Sequence, residues 1–235
     1  MLNRSCVVLV AWLSLTSLRE GVNPFVSTCL SEDEVRGMPL VFADDFESGR
    51  GKWVTTDDAS WDLVVADGNH TFSINKRVSD YIPKYRSPHN IAWIKDLELA
   101  SFAIKFKVRS TLDTGNHRDC CVFFAKQNPD QFYYVHLGAK PDPASGQIMI
   151  VNNAPRSPLT TNEKPVPWDD KWHEVMLVRD AKSGLIEVFF DDMDKPLMQC
   201  KDTTFLKGGI GLGSFDDRNE FDDVRVYSAE STGKN

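Results

Sequence analysis

The most chemically loaded stretch of the chain is Asn116-His117-Arg118-Asp119-Cys120-Cys121, followed by Phe132-Tyr133-Tyr134-Val135-His136-Leu137 and then by Asn152, Asn153 and Arg156. A guanidinium presents a planar fork of donors that meets a carboxylate or sulfate through two parallel hydrogen bonds. Two arginines, a phenol and an imidazole brought together would therefore hold an acidic ligand. Each residue also has a plainer reading: His117 as a loop residue, Asp119 as the partner of Arg118 or of a turn amide. His173 alternates with Val175 and Leu177, which makes it a core histidine, and His70 and His89 are solitary. No His or Cys spacing marks a zinc site, no Gly-x-Ser-x-Gly elbow is present, and Gly208-Gly209-Ile210-Gly211-Leu212-Gly213 lacks the lysine and helix of a phosphate loop and reads as a strand whose glycines permit close packing between curved sheets.

These residues must be placed by strands. From Leu40 onward the chain reads as short alternating runs punctuated by Gly, Pro, Asn and Asp, the pattern of an all-β sandwich. Strands are expected at Leu40 to Phe46, Trp61 to Val65, Thr71 to Asn75, Ile91 to Ile94, Ser101 to Arg109, Cys120 to Lys126, Phe132 to Leu137 and Gln147 to Val151. Further strands are expected at Trp172 to Val178, Leu185 to Phe190, Gly209 to Ser214 and Phe221 to Tyr227, with no helix longer than two or three turns. Alternation sends Phe102, Ile104, Phe106 and Val108 inward and Lys105, Lys107 and Arg109 outward. It sends Tyr133, Val135 and Leu137 inward, leaving Phe132, Tyr134 and His136 together on an exposed face. Arg118 and Cys120 would share the face opposite Cys121 and Phe123, from which Arg118 could approach His136. The proline-rich stretch from Asn152 to Lys171 is a long connection, read either as a functional loop or as a surface excursion.

Composition bounds the answer. With 235 residues, 41% of them hydrophobic, the chain can bury one sizeable core. Its 34 acidic against 27 basic residues exclude a general electrostatic footprint for nucleic acid or anionic lipid, so any anionic ligand needs a local basic cluster. Arg4 ahead of the apolar run Cys6 to Leu15 reads as a secretory signal peptide over residues 1–20, too short to span a bilayer. A lead segment (21–39), the sandwich (40–228) and a short tail (229–235) follow, and the chain is expected to be secreted or periplasmic. Cys29, Cys120, Cys121 and Cys200 would then allow one or two disulfides, with the pairing open.

Three stretches carry a family resemblance: Phe42-Ala43-Asp44-Asp45-Phe46-Glu47-Ser48-Gly49 with Trp53; Trp172-His173-Glu174-Val175 with Gly184 to Asp192; and Gly209 to Gly213 with Phe221-Asp222-Asp223-Val224-Arg225-Val226. The chain resembles the concanavalin A-like lectin/glucanase superfamily, and within it laminin-G-like and 3-keto-disaccharide hydrolase-like domains. The resemblance implies a jelly-roll of two curved antiparallel sheets whose concave face holds a poly- or oligosaccharide, with aromatic rings stacking on sugars and polar groups binding hydroxyls. On that footing Arg118, Tyr134, His136 and Arg156 would suit a uronate or sulfated sugar. The same set could run β-elimination: a basic group lowers the charge on the C5 carboxylate, His136 or Tyr134 removes the C5 proton, and Tyr134 protonates the leaving oxygen. His136, Tyr134 and Arg118 are then the candidate catalytic residues, and Arg156, Phe132, His117 and Asn152 the candidate substrate contacts. Glu-x-Asp-x-Glu and Glu-x-Asp-x-x-Glu are absent, which removes the two-carboxylate glucanase mechanism. The resemblance also implies a structural calcium at the sandwich edge, for which Glu47 and Asp222 are the candidate ligands, alternation placing Asp222 on the face of Val224 and Val226. Glycan binding, a glycan-active lyase or hydrolase, and a laminin-G-like adhesive role all remain open at this point.

Overall fold

The computed structural model describes residues 33–113 and 115–230. The expected signal peptide and Cys29 lie outside the described residues. The strands are β1 (Glu34–Val35), β2 (Met38–Asp44), β3 (Trp53–Thr55), β4 (Trp61–Ala66), β5 (Asn69–Ile74), β6 (Asn90–Leu99), β7 (Phe102–Ser110) and β8 (Cys121–Asn128). They continue as β9 (Gln131–His136), β10 (Ile148–Asn152), β11 (Ser157–Pro158), β12 (His173–Asp180), β13 (Leu185–Phe190), β14 (Met198–Lys201), β15 (Gly208–Ser214) and β16 (Asn219–Tyr227). Each expected strand is present. The four additions, β1, β3, β11 and β14, are two to four residues long, too short to show a periodic pattern.

Two antiparallel sheets face each other in a jelly-roll sandwich. One runs β1-β2-β16-β7-β12-β13-β14, with β5 beside β16 and β4 beside β5; the other runs β11-β10-β9-β8-β15-β6-β3. The only helical segments among the described residues are single 3-10 turns at Asp58–Ser60 and Gly115–His117. The main core lies between the sheets. It takes Phe102, Ile104, Phe106 and Val108 from β7, Val175 and Leu177 from β12, and Tyr133, Val135 and Leu137 at β9, as alternation requires. On the outer side of β7, Lys105 pairs with Glu174 and Lys107 with Asp223, exposed contacts that add little stability.

The opposite face of the β11-to-β3 sheet is not open. Ile91, Trp93, Cys121, Phe123, Phe132, Tyr134, Met149 and Val151 form a second apolar layer there, and Phe132 and Tyr134 are 1% and 0% exposed. The cover is the β5–β6 connection, residues 75–89. It starts beside β6 and reaches the far edge of the sheet, where Lys84 approaches Asp130 and the Arg86 carbonyl accepts from the Arg156 amide at 3.0 Å. The expected exposed aromatic face is therefore a buried one. Each large side chain in this layer is worth about 1.5–3 kcal/mol when buried, so stability favours keeping this face covered.

Two further expectations change. Asp222 was placed with Val224 and Val226 by simple alternation, but a bulge intervenes between Asp222 and Arg225, with Asp223 at φ 52°. The bulge shifts the side-chain phase, so Phe221, Val224 and Val226 reach the core while Asp222 pairs with outward-facing Lys107. The glycines of β15 serve close approach between neighbouring strands of one sheet rather than between sheets: a Cβ at Gly213 would stand 1.9 Å from the Asn90 carbonyl oxygen.

The long Asn152-to-Lys171 connection packs along the sheet edge. β11 pairs with β10, Asn162 bonds the Gly146 carbonyl, Trp168 Nε1 donates to the Leu137 carbonyl at 2.6 Å, and Val166 enters the core. Cys120, Cys121 and Cys200 are free thiols, with Cys120 in the main core and Cys121 in the second layer. None of the three forms a disulfide. No helix among the described residues is long and apolar enough to cross a membrane.

Candidate functional site

At the end of the sheet where β8 begins and β9 finishes, the covering segment stops short and leaves a cavity of about 470 Å³. It is bounded by the β7–β8 connection (Asn116, His117, Arg118, Asp119), by His136, by the β9–β10 connection (Lys140, Asp142, Ala144, Ser145), and by Arg156, Arg86, Phe215 and Asp216. Four of the residues singled out by sequence, Arg118, His136, Arg156 and His117, thus meet in one place.

Asp119 organises the floor. Its Oδ1 accepts from Ser214 Oγ at 2.7 Å and from the Phe215 amide at 2.9 Å, its Oδ2 accepts from the Asp216 amide at 3.2 Å, and His136 Nε2 stands 3.7 Å from Oδ2. Burial works to raise this carboxyl, but the imidazole of His136 and the ring of donors outweigh it and hold it down at about 2. The Asp119 backbone is held as well: its amide donates to Asp217 Oδ2 and its carbonyl accepts from Asn219 Nδ2. Asp119 is therefore a structural anion that ties the start of β8 to the β15–β16 turn. Sequence had left it as a partner for Arg118 or a turn amide, and the actual partners are the turn amides and His136.

His136 pairs in register with Cys121 across β9 and β8, which puts both on the pocket side. Its Nδ1 lies 3.0 Å from the Ala144 carbonyl. A carbonyl only accepts, so Nδ1 carries a proton and the ring is oriented with Nε2 toward Asp119. Phe215 stacks on the imidazole with ring centroids 5.8 Å apart, and the guanidinia of Arg156 and Arg86 lie 4.2 and 5.7 Å from the Phe215 ring centre.

The arginines are under-used by the protein. Arg118 is 9% exposed, its Nη2 reaches only Asp113 at 3.5 Å, and its Nη1 is buried with no partner. Arg156 gives Nη2 to the Ala144 carbonyl at 3.2 Å and also leaves Nη1 buried without one. A buried donor with no acceptor costs about 1–3 kcal/mol, more when charged. Arg118 reaches the cavity through the 3-10 turn and not by the strand alternation expected of it, because β8 starts only at Cys121.

Other expected contacts do not join the site. Tyr134 lies in the covered layer, its hydroxyl buried without a partner and burial pushing its phenol well above the ordinary range. Phe132 and Asn152 sit at the ends of β9 and β10 remote from the cavity, Asn152 exposed and bonded to Gln131. His173 is held between Asp191 at 2.8 Å and Asp169 at 3.2 Å, a structural role as expected. The calcium pair does not fit its ion: both oxygens of Glu47 meet N–H donors or the ring of His70, and Asp222 meets the Asn69 amide and the Asp223 amide. Carboxylates turned onto N–H groups are not arranged as hard-oxygen ligands for calcium. Phe215, Asp216 and Arg86 were not anticipated. The run Asp216-Asp217 reads as a solvated turn, and nothing in the local pattern around Arg86 marks it.

No family model matches the chain, and no curated protein matches it in sequence. Solved structures do match in shape. The carbohydrate-binding module CBM66 from Bacillus subtilis superposes with a TM-score of 0.55 at 14% identity, over 75% of this chain and 96% of that one. Domain 4 of AbnA, an extracellular arabinanase of Geobacillus stearothermophilus solved with arabinotriose, gives 0.52 at 11% identity, over 80% and 92%. The winged bean acidic lectin, solved with methyl-α-D-galactose, gives 0.51 at 11% identity, over 79% and 96%. Over most of its length the chain shares the two-sheet jelly-roll fold of these structures.

Proposed function

We propose that this chain is a carbohydrate-binding β-sandwich and that the cavity between Arg118, Arg156 and His136 takes an acidic sugar residue of a poly- or oligosaccharide, outside the cytoplasm. The observation that carries the reading is the pair of buried guanidinium nitrogens, Arg118 Nη1 and Arg156 Nη1, without acceptors beside a cavity of about 470 Å³. A carboxylate or sulfate would supply the missing acceptors, and charge-assisted bonds of this kind are the strong ones. Among the acidic side chains here, Asp119 is taken up by three donors and Asp142 by the Ala144 amide, while Asp113 reaches only Arg118 Nη2, at 3.5 Å, and leaves Nη1 without an acceptor. The cavity volume falls within the range of small-ligand sites. The fold neighbours add a carbohydrate-binding module and a lectin.

Binding without turnover is favoured over β-elimination by one specific observation, the burial of the Tyr134 hydroxyl beneath the second apolar layer. A group so placed is not positioned to protonate a leaving oxygen. The test is calorimetric titration with uronate-containing, sulfated and neutral oligosaccharides, with ultraviolet absorbance followed for unsaturated products. Binding confined to acidic glycans, without such products, supports the reading. Equal binding of neutral glycans, release of unsaturated products, or no binding of any glycan overturns it.

A further inference from the structure

Beneath the cavity lies an arrangement that shares only His136 with the proposed sugar site. Asp119, Cys121 and His136 are the one group of three ligand-bearing side chains among the described residues whose donor atoms all lie within 4.8 Å of one another. We propose that these three side chains form a site for a thiophilic divalent transition metal such as zinc, with its remaining coordination position open toward the cavity.

Cys121 of β8 and His136 of β9 are directly opposed, so the fold itself sets thiol and imidazole side by side on one face. Asp119, two residues before Cys121, brings its carboxylate to the same point, with Oδ1 4.0 Å from Cys121 Sγ. His136 is oriented as a ligand: its Nδ1–H donates to the Ala144 carbonyl, which directs Nε2, the nitrogen whose lone pair a metal would take, toward Asp119 Oδ2. Metal-bound histidines commonly give their other N–H to a carbonyl or carboxylate in this way. The 3.7 Å between Nε2 and Oδ2 is too long for a hydrogen bond. Two donors on one tetrahedral ion, each about 2.0–2.1 Å from it, lie roughly 3.3 Å apart, so a few tenths of an ångström bring Nε2 and Oδ2 to ligand spacing.

The carboxylate is prepared in the same sense. A carboxylate offers about four lone-pair directions. Ser214 Oγ and the amides of Phe215 and Asp216 occupy three of them on Asp119, which leaves one at Oδ2 on the side of His136. Those donors would act as the outer shell that holds a ligating carboxylate in place. The Asp217 carboxyl lies against the Asp119 amide at 3.3 Å, a second acidic group beside the set. A thiolate, an imidazole and a carboxylate together favour zinc-like ions over calcium or magnesium. When the metal binds, a metal–sulfur bond replaces the Cys121 S–H bond and the proton leaves to solvent.

The site stands independently of the sugar reading, and its test keeps the two apart. The full chain is stripped with chelator and titrated with Zn²⁺ and with Co²⁺. One equivalent should bind, with a thiolate-to-cobalt charge-transfer band in the near ultraviolet that C121S abolishes and C200S retains. C121S and H136Q should each weaken Zn²⁺ binding by at least about tenfold, and Zn²⁺ should raise the melting temperature of the wild type but of neither variant. Near-ultraviolet circular dichroism establishes that each variant is folded, and H136Q decides the matter if C121S is not. Absence of the charge-transfer band, or its persistence in C121S, overturns the site. Titration with acidic oligosaccharide in chelator reports on the sugar reading alone.

Discussion

Replacing Asp217 by asparagine is expected to stabilise the protein above pH 7 and to do almost nothing at pH 4. Asp217 is fully buried; its Oδ2 accepts from Ser110 Oγ at 2.7 Å and from the Asp119 amide at 3.3 Å, while its Oδ1 has no partner. Burial pushes its carboxyl from 3.8 up to about 6, with the Asp119 charge adding to the rise and the donor bonds opposing it. A folded-state value above the unfolded one means that the native protein holds the proton more tightly. The stabilisation from this group is thus fully present below about pH 4 and is lost as pH rises through 6. At about 1.4 kcal/mol for each unit of difference, the cost at pH 7.5 is roughly 3 kcal/mol. Asparagine keeps an oxygen for Ser110 and Asp119 and removes the charge, so D217N should recover up to that amount. Urea unfolding of wild type and D217N at pH 4, 5, 6 and 7.5, in chelator, measures the difference at each pH. A difference that grows from near zero toward about 3 kcal/mol, or a melting-point gain of about 2–4 °C per kcal/mol, agrees with the argument. A constant difference, or one largest at pH 4, would refute it.

Other expectations are as direct. Y134F removes a buried hydroxyl that has no partner, so it should leave stability unchanged or raise it by up to about 1–3 kcal/mol; urea unfolding checks this, and a clear loss would mean that the hydroxyl has a partner. G213A would drive a Cβ into the Asn90 carbonyl and should cost about 1–3 kcal/mol or more, whereas G51A, with nothing within 4 Å of its Cβ, should shift the thermal midpoint little. Binding of an acidic oligosaccharide should weaken only modestly as salt is raised, because its main contacts are to buried guanidinium nitrogens that salt screens less than exposed charges; isothermal titration across a salt series would contradict this if affinity collapsed.

Much of the architecture was legible because period-two alternation is a local property. β7 and β9 show this: Phe102, Ile104, Phe106 and Val108 and then Tyr133, Val135 and Leu137 all entered the main core as the pattern required. Alternation says only that Phe132, Tyr134 and His136 share the other face. It is silent on what lies over that face, and the cover comes from residues 75–89, remote in sequence and without a pattern of their own. Asp222 was misplaced for a related reason, since one residue at positive φ, Asp223, reverses the phase of everything after it.

The site divides in the same way. Arg118, His136 and Arg156 stood out because guanidinium and imidazole groups are the side chains that suit an acidic sugar, and all three line the cavity. Asp119 looked like a turn residue because the donors that give it meaning, Ser214, Phe215 and Asp216, are about a hundred positions away. Cys121 and His136 are fifteen residues apart in the sequence, and only the β8–β9 register makes them neighbours.

Titrating R118Q and R156Q with a uronate-containing oligosaccharide, beside its neutral counterpart, tests the central claim most directly. Loss of either guanidinium should reduce affinity for the acidic glycan by about tenfold or more, as expected for a charge-assisted bond worth about 1.5–3 kcal/mol, without lowering the melting temperature. Undiminished binding of the acidic glycan by both variants would contradict the claim.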